Sequence, residues 1–311
     1  LFRSAALVFG SISFTMTSPG SPEIQNIIPT EFFGTTPTAG GWIGVLCGLI
    51  TMVAGGLYIG RVVKKASQNG EVFSLPRTSP LAAKEEMAAS LAAESMDMNP
   101  EQKAKDLPHV LLAVLPMILV IVLLNVLGQF MDPTIALLIA LVIGIADACI
   151  TMSKYLKEFW KSLAIGAQNS LVAIANTCAV VGFGSVAATV PAFDTLIEGL
   201  VNMPGPPLLG LAVGVTLICG ITGSASGGLG IALPILSPIY MAQGLDPGAM
   251  HRISTLASGA LDSLPHNGYV VTTIRAICGE EHSRAYKPIF MLSVILPTIV
   301  LFLAVILYSI F

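Results

Sequence analysis

Charge-free stretches dominate this chain and are separated by short polar segments. Residues 32–60, 107–131, 133–146, 162–193, 199–245 and 288–311 contain no Asp, Glu, Lys or Arg, and several exceed the roughly 20 residues that a membrane-spanning helix needs. The runs are continuous, not segments of about ten residues with alternating hydrophobicity, so a transmembrane barrel is excluded. The pattern predicts an all-α membrane protein, a multi-span helical bundle with spans over 38–62, 108–131, 134–152, 166–190 and 287–311. Aromatics and lysines mix at 153–165, which suits an interfacial helix.

The stretch 206–243 breaks this regularity. Its apolar halves, 206–221 and 231–243, would be only about 24 and 20 Å long as helices, short of the roughly 30 Å hydrocarbon core. A re-entrant hairpin fits better, with its tip at 222–230 (TGSASGGLG). Backbone without helical hydrogen bonds is tolerated at membrane depth only where protein or a water-filled cavity surrounds it. Two further segments resist a continuous helix. Pro19-Gly20-Ser21-Pro22 interrupts the first thirty residues, and Asp262-Ser-Leu-Pro-His-Asn-Gly268 interrupts 250–278, because proline removes a backbone donor and clashes with the preceding turn. Each broken helix is followed by a polar stretch and an apolar span, 38–62 and 287–311. The pattern predicts inverted repeats, a plan that places binding sites between discontinuous helices near the bilayer midplane.

Charge orients the bundle. Of 15 basic and 18 acidic residues, seven of each fall between Arg61 and Asp106. Lys and Arg are retained on the cytoplasmic side in short loops, so this loop, the lysines at 154–161 and Arg275, Arg284 and Lys287 are expected to be cytoplasmic. The C-terminus and the loop 244–252, with Arg252 as its one basic residue, are then expected outside the inner membrane. Three regions follow: 1–62, the end of a first repeat; 63–107, a polar cytoplasmic loop containing a short helix; and 108–311, a second repeat of scaffold spans, hairpin 206–243, broken helix 250–278 and final span 287–311. No counterpart of 108–249 precedes Leu1 and no signal peptide is seen, so the parent protein is expected to be longer by about 140 N-terminal residues, including a second hairpin.

Composition removes other classes. The chain is 54% hydrophobic and 11% charged, with a mean hydropathy of +0.82, against about a quarter charged in soluble domains. The net charge of −3, without a basic stripe, argues against nucleic acid as a partner. The five cysteines lie far apart without a Cys-x-x-Cys pair, and neither metal-ligand spacing nor a cofactor motif is present. An intramembrane enzyme is therefore disfavoured, although His266 with Ser263 is a conceivable dyad. An ion channel is a further alternative, since re-entrant loops also build selectivity filters.

A small anion held between broken helices needs backbone N–H groups at helix ends, with side-chain donors and acceptors around it. Candidate binding residues are Ser18, Ser21, Gln25 and Asn26 from the first break, Thr222, Ser224 and Ser226 from the tip, and Ser263 and Asn267 from the second break. Ionisable groups inside a membrane are costly enough to mark function, which makes Glu23, Asp262 and His266 the candidate proton carriers. Asp147, near a span end, is expected to reach water or Lys154.

These residues carry a resemblance. Residues 19–30 (PGSPEIQNIIPT) with 33–36 (FGTT), the tip 220–234 (GITGSASGGLGIALP) and 261–268 (LDSLPHNG) resemble the gluconate permease (GntP) family of the ion transporter superfamily. The resemblance spans nearly the whole chain. It implies a secondary active transporter, a proton-coupled symporter moving gluconate or a related small hydroxy-carboxylate by an elevator-type movement. The first string is closer to the branch associated with 3-hydroxybutyrate. Sodium coupling is the alternative, and superfamily resemblance implies a homodimer built on scaffold helices.

Overall fold

The apolar runs of the sequence are helical in the computed structural model, which describes residues 2–14, 17–70, 108–155, 159–187, 189–201, 203–278 and 280–311. The chain is an all-α membrane protein. Among the described residues, four helices are long and apolar enough to cross a membrane: α3 (Gly41–Gln68), α4 (Val110–Leu127), α5 (Pro133–Thr151) and α12 (His282–Ile310). Helix α3 runs six residues past the expected boundary at 62. Residues 71–107 of the polar loop 63–107 lie outside the described residues, as does its expected short helix.

Two compact units are present, residues 74–173 and the rest. In the smaller, α4 and α5 form a tight hairpin. Asp132 starts α5, its Oδ1 accepting from Thr134 N at 2.9 Å and Ile135 N at 3.2 Å, with Pro133 at the first helical position where its missing N–H is harmless. Gly144 brings the helices together, since a Cβ there would lie 2.4 Å from Val120. Only 6% and 17% of the apolar windows of these two helices are buried within the chain, so their outer faces suit lipid. Asp147 is half-buried, and its Oδ2 is shut from water with no hydrogen-bond partner among the described residues. The expected interfacial helix is not separate: from Phe159 onward it forms the first turns of the 29-residue α6 (Phe159–Ala187), with α7 (Pro191–Val201) following.

The larger unit contains both broken helices and the hairpin. The first begins as α1 (Phe2–Val8), widens into a π turn at Phe9–Phe14, loses helical form near Pro19–Pro22, and resumes as α2 (Ile24–Phe33). The hairpin pairs α8 (Pro207–Thr222) with α9 (Ala225–Met241). At 1.5 Å per residue the arms measure about 24 and 26 Å, too short to span. The second broken helix comprises α10 (Pro247–Ser258), an irregular stretch 259–267, and α11 (Gly268–Thr272) with a π turn at Thr273–Ile277.

The two broken helices lie antiparallel. Ser11 of the first donates to Tyr269 of the second at 2.9 Å, Thr17 sits against Gly259, and Asn26 faces His251. Their halves join different apolar clusters: Phe33 and Ile253 pack with Leu211, Leu229 and Val300, whereas Phe9 and Ile274 pack with Ile289 and Leu292. Both breaks therefore fall between two cores.

Close approach within the hairpin depends on Gly228, where a Cβ would lie 2.3 Å from Cys219 Sγ and 2.6 Å from Cys219 Cα. A thiol can rotate, but a backbone atom moves only with its helix. Gly228→Ala is expected to push α8 and α9 apart at a cost of about 1–3 kcal/mol or more. A thermal melt of the purified protein in detergent checks this, and an unchanged midpoint would contradict the packing.

Candidate functional site

The hairpin tip is shaped by Gly223, whose φ of +61° places it in the left-handed conformation that ends helices and favours glycine. Its N–H reaches Cys219 O, as does that of Ser224 at 3.2 Å. Ser224 then caps α9, its Oγ accepting from Gly227 N at 3.1 Å. The Thr222 hydroxyl folds back to Ile218 O at 2.9 Å. Ser226 differs from both: it is half-buried, and its hydroxyl bonds to none of the described residues.

The second break is clasped to this tip by Asn267. Its Nδ2 donates to Gly223 O and to Asp262 O, both at 2.9 Å, and its Oδ1 accepts from Val270 N at 2.8 Å to start α11. The Asp262 carboxylate is buried and accepts from Ser263 Oγ at 2.9 Å. The carbonyl of Ser263 in turn accepts from the Tyr286 hydroxyl at 2.9 Å. His266 is exposed and lies over Gly223, close enough that a Cβ there would be 2.8 Å from Nε2. The tip residues 222–226 and the break residues 262–267 are thus one connected structure.

The first break is tied to α10 instead. Asn26, wholly buried, donates Nδ2 to Ser21 O and Pro37 O at 2.9 Å each. That fixes the orientation of its amide, so Oδ1 is the atom facing His251 Nε2 at 3.3 Å. An amide oxygen only accepts; His251 therefore carries its proton on Nε2, and Nδ1 accepts from Thr35 Oγ1 at 2.6 Å, a tautomer assigned from the network. Beside it, the fully buried Arg252 donates Nη1 to Thr17 O (2.9 Å), Nη2 to Pro37 O (3.1 Å) and Ala39 O (2.8 Å), and Nε to Ala39 O (3.1 Å). All of its partners are backbone carbonyls. The expectation that Arg252 marks an outward loop is corrected here: Asp246 caps α10 through Ala249 N at 2.7 Å, and Arg252 lies in the second turn of a helix buried from Ala249 to Ser258.

The remaining first-break candidates vary in their commitments. Ser18 bonds back to Phe14 O at 2.7 Å, and Ser21 Oγ accepts from Glu23 N at 3.3 Å. Glu23 is half-buried and makes no side-chain cap to α2, while Gln25 Oε1 is shut from water without a partner among the described residues. Although α2 packs along α9, none of Ser18, Ser21, Glu23 and Gln25 hydrogen-bonds a tip residue. Among the described residues, no group of three or more His, Cys, Asp or Glu is placed to hold a metal ion.

The chain is 35% identical to the uncharacterized transporter YxjC of Bacillus subtilis (strain 168), across 97% of its own length and 68% of that relative. It belongs to this family of transporters. No family model and no solved structure matches the chain. In this transporter the sequence-based candidates omitted His251 and Arg252. The signal that locates them is Asp246-Pro247, a capping residue followed by proline, which starts a helix four residues before His251. Inside a buried helix of a membrane protein, both become functional or structural hypotheses by default.

Proposed function

We propose that this transporter is a secondary active symporter that moves a small hydroxy-carboxylate, gluconate or a relative such as 3-hydroxybutyrate, together with protons across the inner membrane. The observation that carries this reading is the Asn267 clasp, which joins the tip of a short helical hairpin to a broken helix beside a buried carboxylate. Such an arrangement supplies the N-terminus of the 17-residue α9 for a substrate carboxylate. The unengaged Ser226 hydroxyl and the exposed His266 ring beside the tip are suited to its hydroxyls. Asp262 and His266 carry the proton, with Glu23 as the third candidate. The family resemblance of the broken segments to gluconate permeases supports the substrate class, and loop charge supports an orientation with 63–107 in the cytoplasm.

Radiolabelled gluconate and 3-hydroxybutyrate uptake by the full-length transporter in proteoliposomes tests this. Accumulation is expected under an imposed pH gradient and is expected to vanish with a protonophore. Asp262→Asn and His266→Gln are each expected to lower gradient-driven accumulation. Full accumulation in both variants would remove these two groups as carriers, and accumulation driven by sodium with the protonophore present would replace protons as the coupling ion.

A further inference from the structure

Tyr286 of α12, outside the tip and the two breaks, reaches the segment that carries the buried carboxylate. Breaking a helix leaves carbonyls without N–H partners, and in the second break those of Asp262 and Ser263 are satisfied by side chains. Asn267, within the break itself, serves Asp262 O. Tyr286, from α12, serves Ser263 O. Ser263 is also the residue whose hydroxyl donates to Asp262 Oδ1, so the phenol holds the backbone of the one side chain that hydrogen-bonds the carboxylate. The phenol ring is fixed on both sides. His282 stacks on it with ring centroids 5.2 Å apart at 14°, and Phe290 packs against it at 6.0 Å. These three residues are spaced four apart along α12 and form an aromatic column whose middle member points its hydroxyl at the break.

We propose that Tyr286 is a positioning residue for proton coupling: its hydrogen bond to Ser263 O sets how Ser263 Oγ addresses the Asp262 carboxylate, and thereby the pH at which that carboxylate exchanges its proton. This rests on the reading of Asp262 as a proton carrier. The titratable neighbours of Asp262 are the Cys219 thiol from α8 and the Tyr286 phenol from α12, with His266 in the break itself. Cys219 is wholly buried, and its thiol is turned to Ala225 O. The backbone N–H groups of Asp262 and Ser263 also face the carboxylate, so Ser263 presents both its hydroxyl and its N–H to it, and Tyr286 holds that residue in place.

Tyr286→Phe removes the hydroxyl and keeps the ring, so the stack with His282 and the packing on Phe290 persist. In proteoliposomes, the pH of half-maximal uptake is expected to shift, with the maximal rate lowered about three- to tenfold, the size of one lost hydrogen bond, and substrate KM little changed. A variant that keeps the wild-type pH profile, whether or not its rate falls, overturns the proposal, because a merely structural tyrosine would lower the amount of working protein without moving the profile. His282→Phe retains a stacked ring without touching the hydroxyl, and its profile is expected to match wild type; a shift equal to that of Tyr286→Phe would assign the effect to the column instead. The underlying reading fails separately, through full gradient-driven accumulation by Asp262→Asn.

Discussion

Replacing Arg252 with Met is expected to lower the thermal midpoint of the detergent-solubilised transporter sharply and to abolish uptake. Among the described residues the guanidinium is the one side-chain donor to the carbonyls of Thr17 and Ala39, whereas Pro37 O also receives Gly20 N and Asn26 Nδ2, each at 2.9 Å. Met fills much of the volume and offers no donor, so two buried carbonyls are orphaned at about 1–3 kcal/mol each. Relief from burying a cation offsets part of this, leaving a net loss of about 2–4 kcal/mol, large against a total stability of about 5–15 kcal/mol. The effect concentrates where function needs order. Thr17 opens the first break, and Ala39 precedes Gly40, whose φ of +93° leaves no room for a side chain: a Cβ there would lie 2.6 Å from both Arg252 Cβ and the Tyr308 hydroxyl. Arg252→Lys keeps the charge, but an ammonium is a point donor without the planar fork, so it is expected to recover only part of the stability. A melt of Arg252→Met within about 2 °C of wild type, where 1 kcal/mol corresponds to roughly 2–4 °C for a chain of this order of size, would show that the carbonyls do not depend on the guanidinium.

What the sequence discloses about this architecture follows from which physical effects are local. Pro19-Gly20-Ser21-Pro22 and Leu264-Pro265 end helices wherever they stand, so both breaks are legible in the sequence, and the shortness of 206–221 and 231–243 announces a hairpin. Helix α10 was harder to see. It contains His251, Arg252, Ser254, Thr255 and Ser258, all fully buried, and a polar segment of that kind has the hydropathy of a loop. Its burial depends on α2, α8, α9 and α12 surrounding it, which no local pattern encodes. The site itself was legible as a set of segments and less so as a set of roles. Asn26, Asn267, Ser18, Ser224 and Thr222 stand out in the sequence as polar groups at breaks, yet the breaks themselves expose N–H and C=O groups, and these side chains satisfy them. Polar residues beside an interrupted helix are claimed first by the backbone. Among the described residues, the candidates left with unengaged polar atoms are Ser226, His266, Glu23 and Gln25, which keeps them open to a substrate.

Asn267→Ala is expected to disconnect tip from break. Its amide has three partners on two elements, and truncation strands Gly223 O and Asp262 O and uncaps α11 together. The cap alone is worth about 0.5–2 kcal/mol, and each buried carbonyl adds about 1–3 kcal/mol, so the local loss exceeds that of any single hydroxyl in the site. Asn267→Asp separates the contributions. An aspartate still accepts from Val270 N and suits the positive end of α11, but it turns an acceptor toward two carbonyl oxygens where a donor stood. If the clasp is what function requires, both variants lose uptake at least tenfold, the effect of about 1.4 kcal/mol, while the aspartate variant retains the better α11. Amide hydrogen exchange at Val270 reads the cap independently of transport: it is expected to quicken in Asn267→Ala and stay near wild type in Asn267→Asp. Uptake that follows the exchange rate, recovering in Asn267→Asp, would assign the importance of Asn267 to its helix cap and remove the join between hairpin and break from the transport cycle.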